Sequence, residues 1–390
     1  GKLDVAPLIS HRFDIRDAEQ AYELINTGKE PYLGILLKYP EVERQPQRRI
    51  ELRTSPRAGK VGVGAIGAGN FARMVLLPAI RETSDLRPRV LASAGGLSAR
   101  HTGEQLGFES VTTDEKEVIA DKGVDAVFII TRHDQHAQQV LATLDAGKHC
   151  FVEKPLALTV DELTKIDAAL RDTAKPPLLM VGFNRRFSDA ATSVREHFSS
   201  VSRPLTVSIR FNAGEIPGDH WVQHSEEGGG RIIGEACHAI DLAAYLTGSP
   251  PVRVFAESVG GPDRPDVSDD QSFITLRHQN GSVSSIAYLA GGDRALPKER
   301  VEVFGGGRAA IIDDFRKVTL ANSGKVKTVK TSGKGHKQEV AAFATAIQRG
   351  RPAPIDWDDL YRVSLASILA VRSLREGIPF EVPGPGEAPE

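Results

Sequence analysis

Val61-Gly62-Val63-Gly64-Ala65-Ile66, followed at once by Gly67-Ala68-Gly69-Asn70-Phe71-Ala72, is the stretch on which the fold turns. The first six residues are apolar or glycine throughout, with no polar face, and read as a short buried strand. The next six read as a tight turn into a helix. Gly67 permits the turn, Gly69 lets a pyrophosphate approach the backbone, and Ala72 is small enough for close helix–strand packing. Asn70 and Phe71 open the helix, whose unpaired N–H groups and positive dipole end suit phosphate. Such a turn is a weak motif alone; its place between a strand and a helix gives it weight.

Downstream, apolar runs at residues 90–93, 124–130 and 149–153 read as strands separated by helices, and 178–183 as one more. The helix from Asp134, a natural N-cap, carries Ala137, Leu141 and Leu144 on one face and Gly147 after its end. This alternation predicts a doubly wound parallel sheet of the Rossmann type over residues 60–183. From 184 to 380 the pattern changes to alternating strands at 205–211, 252–257, 272–277, 282–288 and 300–304. Gln279-Asn280-Gly281 is a hairpin signal among them. This is an α+β domain with an open, mostly antiparallel sheet, a helix near 240–246, and two closing helices placed to pack back on the Rossmann domain. The tail, 381–390, reads as disordered. Upstream, residues 1–40 read as a strand–helix–strand left from another domain, with Asp14 capping the helix, and 41–59 as a polar linker.

With 390 residues the chain has room for two or three domains. A net charge of −2 gives no reason to expect nucleic acid or a membrane surface as partner. No run approaches the ~20 apolar residues that span a bilayer, and the expected location is cytoplasmic. Cys150 and Cys237, without a spacing motif, read as reduced core residues.

The chemistry concentrates at strand ends. Glu153-Lys154-Pro155 closes the fourth strand and sets a lysine at the carboxyl edge of the sheet, where reactions in such folds take place. At the end of the second strand an NAD site places a carboxylate. Ser93, Ser98 and Arg100 stand there instead, a set suited to a 2′-phosphate, so NADP is preferred over NAD; a solvated Arg100 is the bland reading. Thr131, His133 and His136 follow the third strand, near where a nicotinamide would sit. Asn184 and Arg185 lie at the domain junction and could reach a hydroxylated substrate, although one of Arg185 and Arg186 is expected in a salt bridge. After Gly228-Gly229-Gly230, Glu235, His238 and Asp241 follow, with His238 and Asp241 on one helical face. His238 can pass a proton near neutral pH; Asp241 either orients it or pairs locally. Trp221, with His220 and His224, forms a plausible sugar-facing wall. Zinc is a rival use of these histidines, but no ligand spacing supports a metal.

Taken together, the glycine turn, Glu153-Lys154-Pro155, Gly182-Phe183-Asn184-Arg185-Arg186-Phe187 and the glycine-led His238 segment resemble the glucose–fructose oxidoreductase/inositol dehydrogenase/rhizopine catabolism family (Gfo/Idh/MocA), over about residues 58–380. The resemblance implies a nicotinamide-dependent oxidoreductase of sugars or cyclitols, a homo-oligomer that uses the open sheet, and catalytic roles for Lys154 and His238. Many members carry an aspartate four residues before that histidine; here Gly234 holds the place and Glu235 follows. The Gly234-Glu235-Ala236-Cys237-His238 stretch looks like a subgroup of two-part oxidoreductases preceded by a zinc-alcohol-dehydrogenase-like half, which residues 1–40 resemble at its end.

The leading expectation is hydride transfer between NADP(H), or NAD(H), and a secondary alcohol of a sugar, cyclitol or derivative. Glu153 and Lys154 would line the cofactor; Asn184, Arg185, Trp221, Glu235, His238 and Asp241 would line the substrate. Two alternatives stand beside it: a redox-neutral lyase or glycosidase working through transient oxidation on a retained cofactor, and a non-catalytic dinucleotide-binding sensor.

Overall fold

Residues 4–39, 49–53, 59–202, 204–259 and 270–387 are described in the computed structural model, without the side chains of 96–98. They fall into two compact units, Gly1–Arg48 and Arg49–Glu390. In the first, β1 (Ile9–Asp14) and β2 (Gly34–Lys38) pair in parallel and are joined by α1 (Ala18–Thr27), which stops at left-handed Gly28. Asp14 does not cap that helix. It caps a 3₁₀ turn just ahead of it, accepting the Arg16 backbone N–H at 3.0 Å.

The second unit opens with β3 (Arg49–Glu51), within the stretch the sequence marks as linker. It pairs antiparallel with β6 (Ser110–Thr112) at the sheet's edge, where a short charged strand resists further pairing. Residues 41–48 and 54–58 of that linker lie outside the described residues. Next come β4 (Val61–Ile66), α2 (Leu77–Glu82), β5 (Leu86–Ala92) and α3 (Gly96–Leu106), then α4 (Glu115–Ala120), β7 (Ala126–Ile129), α5 (His133–Asp145), β8 (His149–Val152), α6 (Val160–Arg171) and β9 (Leu179–Val181). The strand order is β3-β6-β5-β4-β7-β8-β9, parallel except for β3. Every residue of β4 is buried, as a strand covered on both faces requires. Connections leave β4 in one direction and resume from β7 in the other, which opens a crevice at their carboxyl ends. Helix α5 starts at His133, with extended Arg132 in the cap position, so Asp134 lies inside the first turn and is not the N-cap.

A 3₁₀ turn, Asn184–Phe187, leads to α7 (Asp189–His197), which Ser188 caps. The remaining elements are β10 (Thr206–Asn212), α8 (Cys237–Thr247), β11 (Pro251–Ser258), β12 (Gln271–His278), β13 (Val283–Leu289), β14 (Glu299–Gly305), β15 (Arg308–Asp313), β16 (Lys317–Asn322), β17 (Lys325–Lys330), α9 (His336–Gln348), α10 (Trp357–Glu376) and β18 (Phe380–Glu381). They build a nine-stranded sheet, β17-β16-β15-β14-β10-β13-β12-β11-β18, antiparallel except for the β10–β13 pair. Helix α8 packs on β10 and β13, α10 on α8 and β11, and α9 returns to α2 and β4. The tail is more ordered than its composition suggests. The Val382 N–H donates to Val252 O at 2.8 Å, and the Gly386 N–H to the Asp167 carboxylate at 2.9 Å; residues 388–390 lie outside the described residues.

Candidate active site

Gly67 takes φ +106°, and a Cβ there would stand 2.4 Å from Ile130 O, so backbone from β4 and from the end of β7 meets at this glycine. At Gly69 a Cβ would meet nothing within 4 Å, and Gly69, Asn70 and Phe71 are exposed. That open turn, with its backbone N–H groups in reach, fits a pyrophosphate. The Asn70 side chain accepts from Arg73 Nη2 at 2.7 Å and so braces the first helical turn. The helix runs through a π segment, Ala72–Leu76, into α2, and Pro78, which has no N–H for residue 74, stands just past it. Ser93 is half-buried at the end of β5. Arg100 is exposed and pairs with Glu104 at 3.0 Å; the Ser98 side chain lies outside what is described.

Across the crevice, half-buried Lys154 donates from Nζ to Gly234 O at 2.9 Å. Gly234 belongs to a second π segment, Ile232–Ala236, that runs into α8 and His238. An amine from the Rossmann half therefore ends about one helical turn from the imidazole of the other half. His238 is buried, its ring edge-on to Phe183 at 6.1 Å, and its Nδ1 has no partner. Burial, then the charges of Arg185 and Lys154, hold this imidazole well below its ordinary value, so it is a neutral proton acceptor.

Several residues that the sequence assigns to substrate or cofactor are spent on the framework. Asn184 donates from Nδ2 to Lys334 O at 2.7 Å, and Arg185 forms a two-pronged pair with Glu299 at 2.6 and 2.9 Å, both ends buried. Arg186 is also in a salt bridge, to Asp241 at 2.5 Å, so Asp241 anchors an arginine and does not orient His238. The Glu235 carboxylate accepts from Lys298 (2.5 Å), the Tyr288 hydroxyl (2.5 Å) and Arg231 (3.1 Å). Burial would raise its pKa, but these three donors outweigh that and hold it at about 2. Glu235 thus has three donors of its own, one position along the chain from Gly234. His136 is fully buried, with Nδ1 at 2.7 Å from Pro155 O and Nε2 at 3.2 Å from Thr131 O; the neutral ring has one N–H and donates it to one of these carbonyls. The Thr131 hydroxyl donates to Gln139 Oε1 at 2.7 Å, which leaves it no proton for a cofactor. Glu153 is buried, with one carboxylate oxygen unpartnered, and burial raises it to about 7 against the pull of Lys154.

Half-buried Trp221 stands edge-on to His133 at 4.8 Å, with the Arg132 guanidinium 5.5 Å from its ring centre. Two residues on α9 escape the sequence reading. His336 lies 5.7 Å from the Phe71 ring at the dinucleotide turn, and Glu339 is fully buried with neither oxygen partnered. A glycine of positive φ, Gly335, directly before His336 is the only local signal. Among the described residues, no three His, Cys, Asp or Glu side chains group so as to hold a metal ion, and no helix is long and apolar enough to cross a membrane.

Burial leads the causes that keep His133 at about 3, His136, His278 and His336 at about 4, and His238 well below its usual value. Such groups are neutral when folded but charged when unfolded below ~6.5, so the stability they contribute is complete above that pH and lost as pH falls toward 4. Glu153 (about 7), Asp241 (about 6) and Glu339, all raised, act with the opposite sign and favour the folded state at lower pH. The histidines outnumber them, each histidine in excess being worth up to ~1.4 kcal/mol per pH unit. The urea midpoint should therefore fall between about pH 6.5 and about pH 5. A midpoint that rises over that range would show the carboxyl groups dominate.

A glycine turn at the switch point of a parallel sheet, a lysine at a strand end and a neutral buried histidine opposite define an oxidoreductase acting on CH–OH groups with a nicotinamide cofactor. The chain belongs to the Gfo/Idh/MocA family: residues 61–183 match its model described as "Oxidoreductase family, NAD-binding Rossmann fold", and 200–307 match "GFO/IDH/MocA C-terminal domain". The myo-inositol 2-dehydrogenase of Thermotoga maritima is 27% identical over 82% of this chain and 96% of its own. The inositol 2-dehydrogenase of Rhizobium meliloti is 29% identical over 81% and 97%. In structure, the chain resembles levoglucosan dehydrogenase in complex with NADH and levoglucosan, with a TM-score of 0.74 and 23% identity over 83% of this chain and 100% of that one.

Proposed function

We propose that the protein oxidises a secondary alcohol of a sugar or cyclitol, or reduces the matching ketone. Residues 60–183 would hold the cofactor and 184–380 most of the substrate. When bound, the nicotinamide takes or returns the hydride. Lys154 would hydrogen-bond the reacting oxygen, and His238 would take its proton during oxidation and give it back during reduction. What supports this most is the buried, unpartnered His238 Nδ1. An imidazole atom kept dry and unbonded costs stability unless something outside the protein meets it. Relatives named for inositol and anhydrosugar chemistry favour polyols over simple alcohols.

We further propose NADP as the preferred cofactor. The Arg100–Glu104 pair is exposed, so it holds Arg100 weakly and a 2′-phosphate can take Glu104's place. Arg100→Ala should weaken NADPH binding about tenfold and leave NADH binding unchanged; equal loss for both would leave Arg100 no part in the choice. The reaction itself is tested by incubating the protein with NAD and NADP in parallel and a panel of inositols, anhydrosugars and nucleotide-sugars. Nicotinamide absorbance should rise with at least one polyol. Product formation with no net absorbance change would instead indicate internal redox on a retained cofactor. Cofactor binding with no reaction at all would indicate a sensor.

A further inference from the structure

His133 is held on three sides. Its Nδ1 lies 2.8 Å from Gly228 O, and a carbonyl can only accept, so Nδ1 carries the ring proton. Trp221 closes one edge at 4.8 Å. The third side is Gly234: a Cβ there would come within 3.2 Å of His133 Cε1. The imidazole thus fills the space that a side chain at 234 would otherwise take. Nε2 is the ring atom next to Cε1, and it has no hydrogen-bond partner among the described residues. Burial and the nearby Lys154 charge keep the ring neutral, so Nε2 remains a lone-pair acceptor.

Lys154 Nζ reaches the same residue, bonding Gly234 O at 2.9 Å. One donor and one acceptor therefore meet around Gly234, where the imidazole edge stands in place of a side chain. We infer that His133 Nε2 accepts a hydrogen bond from a second hydroxyl of the substrate, on the carbon beside the reacting carbinol, which makes His133 a specificity-determining residue for the polyol bound there. The reading that Lys154 bonds the reacting oxygen underlies this assignment. The pairing follows from chemistry: Lys154 presents an N–H to the oxygen on the carbon being oxidised, and the neighbouring O–H has a lone pair to meet. A 2-hydroxy acid would instead set a carboxylate against that lone pair, with no proton between them.

The test is discrimination between a diol and its deoxy counterpart. Myo-inositol and levoglucosan are compared with analogues lacking the hydroxyl beside the reacting carbon, and NADH and NADPH affinities are read by fluorescence. His133→Phe keeps a ring over Gly234 but removes the acceptor. It should cut kcat/KM for the diol about 5- to 150-fold, the range for an unpaired buried partner, and leave the deoxy compound nearly unchanged. Gly234→Ala, whose methyl would press on Cε1, should erode the same preference with the imidazole still present. Melting curves establish that each variant folds, and His133→Asn, which retains an acceptor, should recover part of the preference if His133→Phe does not fold. A diol preference that survives both His133→Phe and Gly234→Ala overturns the inference alone. So does a loss of cofactor affinity matching the loss in kcat/KM, which would place Nε2 on the cofactor. If the unaltered protein turns over no polyol, the oxidoreductase reading fails, and this inference with it.

Discussion

Lys154→Met is expected to lower kcat about 10²- to 10⁴-fold while NADH affinity stays within about twofold. The substitution keeps an unbranched stem of similar length, so packing at the end of β8 survives while every N–H is lost. In the resting protein Nζ makes one bond, to Gly234 O at 2.9 Å, which leaves its other protons for a ligand. As hydride leaves carbon, the carbinol oxygen gives up its proton and passes through a partly anionic state. A positioned ammonium stabilises that state more than it stabilises the bound alcohol. The loss should therefore fall equally on kcat and kcat/KM. The orphaned Gly234 carbonyl adds a stability loss of about 1 kcal/mol, visible by melting and separable from the kinetic effect. Turnover within about threefold of the unaltered enzyme would remove Lys154 from the chemistry. His238→Asn complements this experiment: it should lower kcat and flatten its pH dependence, because the proposed mechanism has the neutral buried imidazole change protonation during turnover.

The parts of this architecture that can be read from sequence are those where one residue type answers one physical demand. Gly67 had to be glycine, since a Cβ would strike Ile130 O at 2.4 Å. The apolar runs behind β4, β7 and β8 match strands buried on both faces, and such runs show in composition alone. Strands β15 to β17 left weaker traces. Lys325–Lys330 mixes lysine with valine and threonine along an exposed edge, and the hairpin turns from β14 to β15 and from β16 to β17 use Gly306-Gly307 and Ser323-Gly324. The three residues of β6 are too few for a period to register. The sequence points to Lys154 and His238 as the two ends of the proposed site, but it does not show the partnerships around them. A sequence shows that Arg185, Arg186, Glu235 and Asp241 are charged. Only the fold shows that Glu299, from a strand 114 residues away, claims Arg185, and that Lys298 claims Glu235. His133 illustrates the same limit. The absence of a side chain at 234 and the presence of a ring at 133 become one fact only when β7 and the π segment before α8 are brought together.

Asp241 bears on both stability and mechanism, because its proximity in sequence to His238 suggests an orienting role that its geometry denies. Its carboxylate takes Arg186 Nη2 at 2.5 Å and Nε at 3.0 Å, with both residues buried and Asp359 a further contact of the same guanidinium at 3.3 Å. Burial pushes Asp241 up to about 6 against the pull of Arg186, so desolvation offsets much of the pairing energy. A buried pair of this kind adds little net stability while intact, but removing one member strands the other charge in a dry interior. Asp241→Ala should thus destabilise the protein by about 3–5 kcal/mol and lower Tm by roughly 10 °C. The double variant Arg186→Leu/Asp241→Leu should recover much of that loss, because neither charge is then left behind. Folded Asp241→Asn should keep the pH dependence that the proposed mechanism assigns to His238, since Asp241, one turn along the helix from His238, bonds Arg186 and not the imidazole. If Asp241→Asn instead melts with the unaltered protein and shifts the pH profile, the carboxylate acts on His238 and the anchoring role falls.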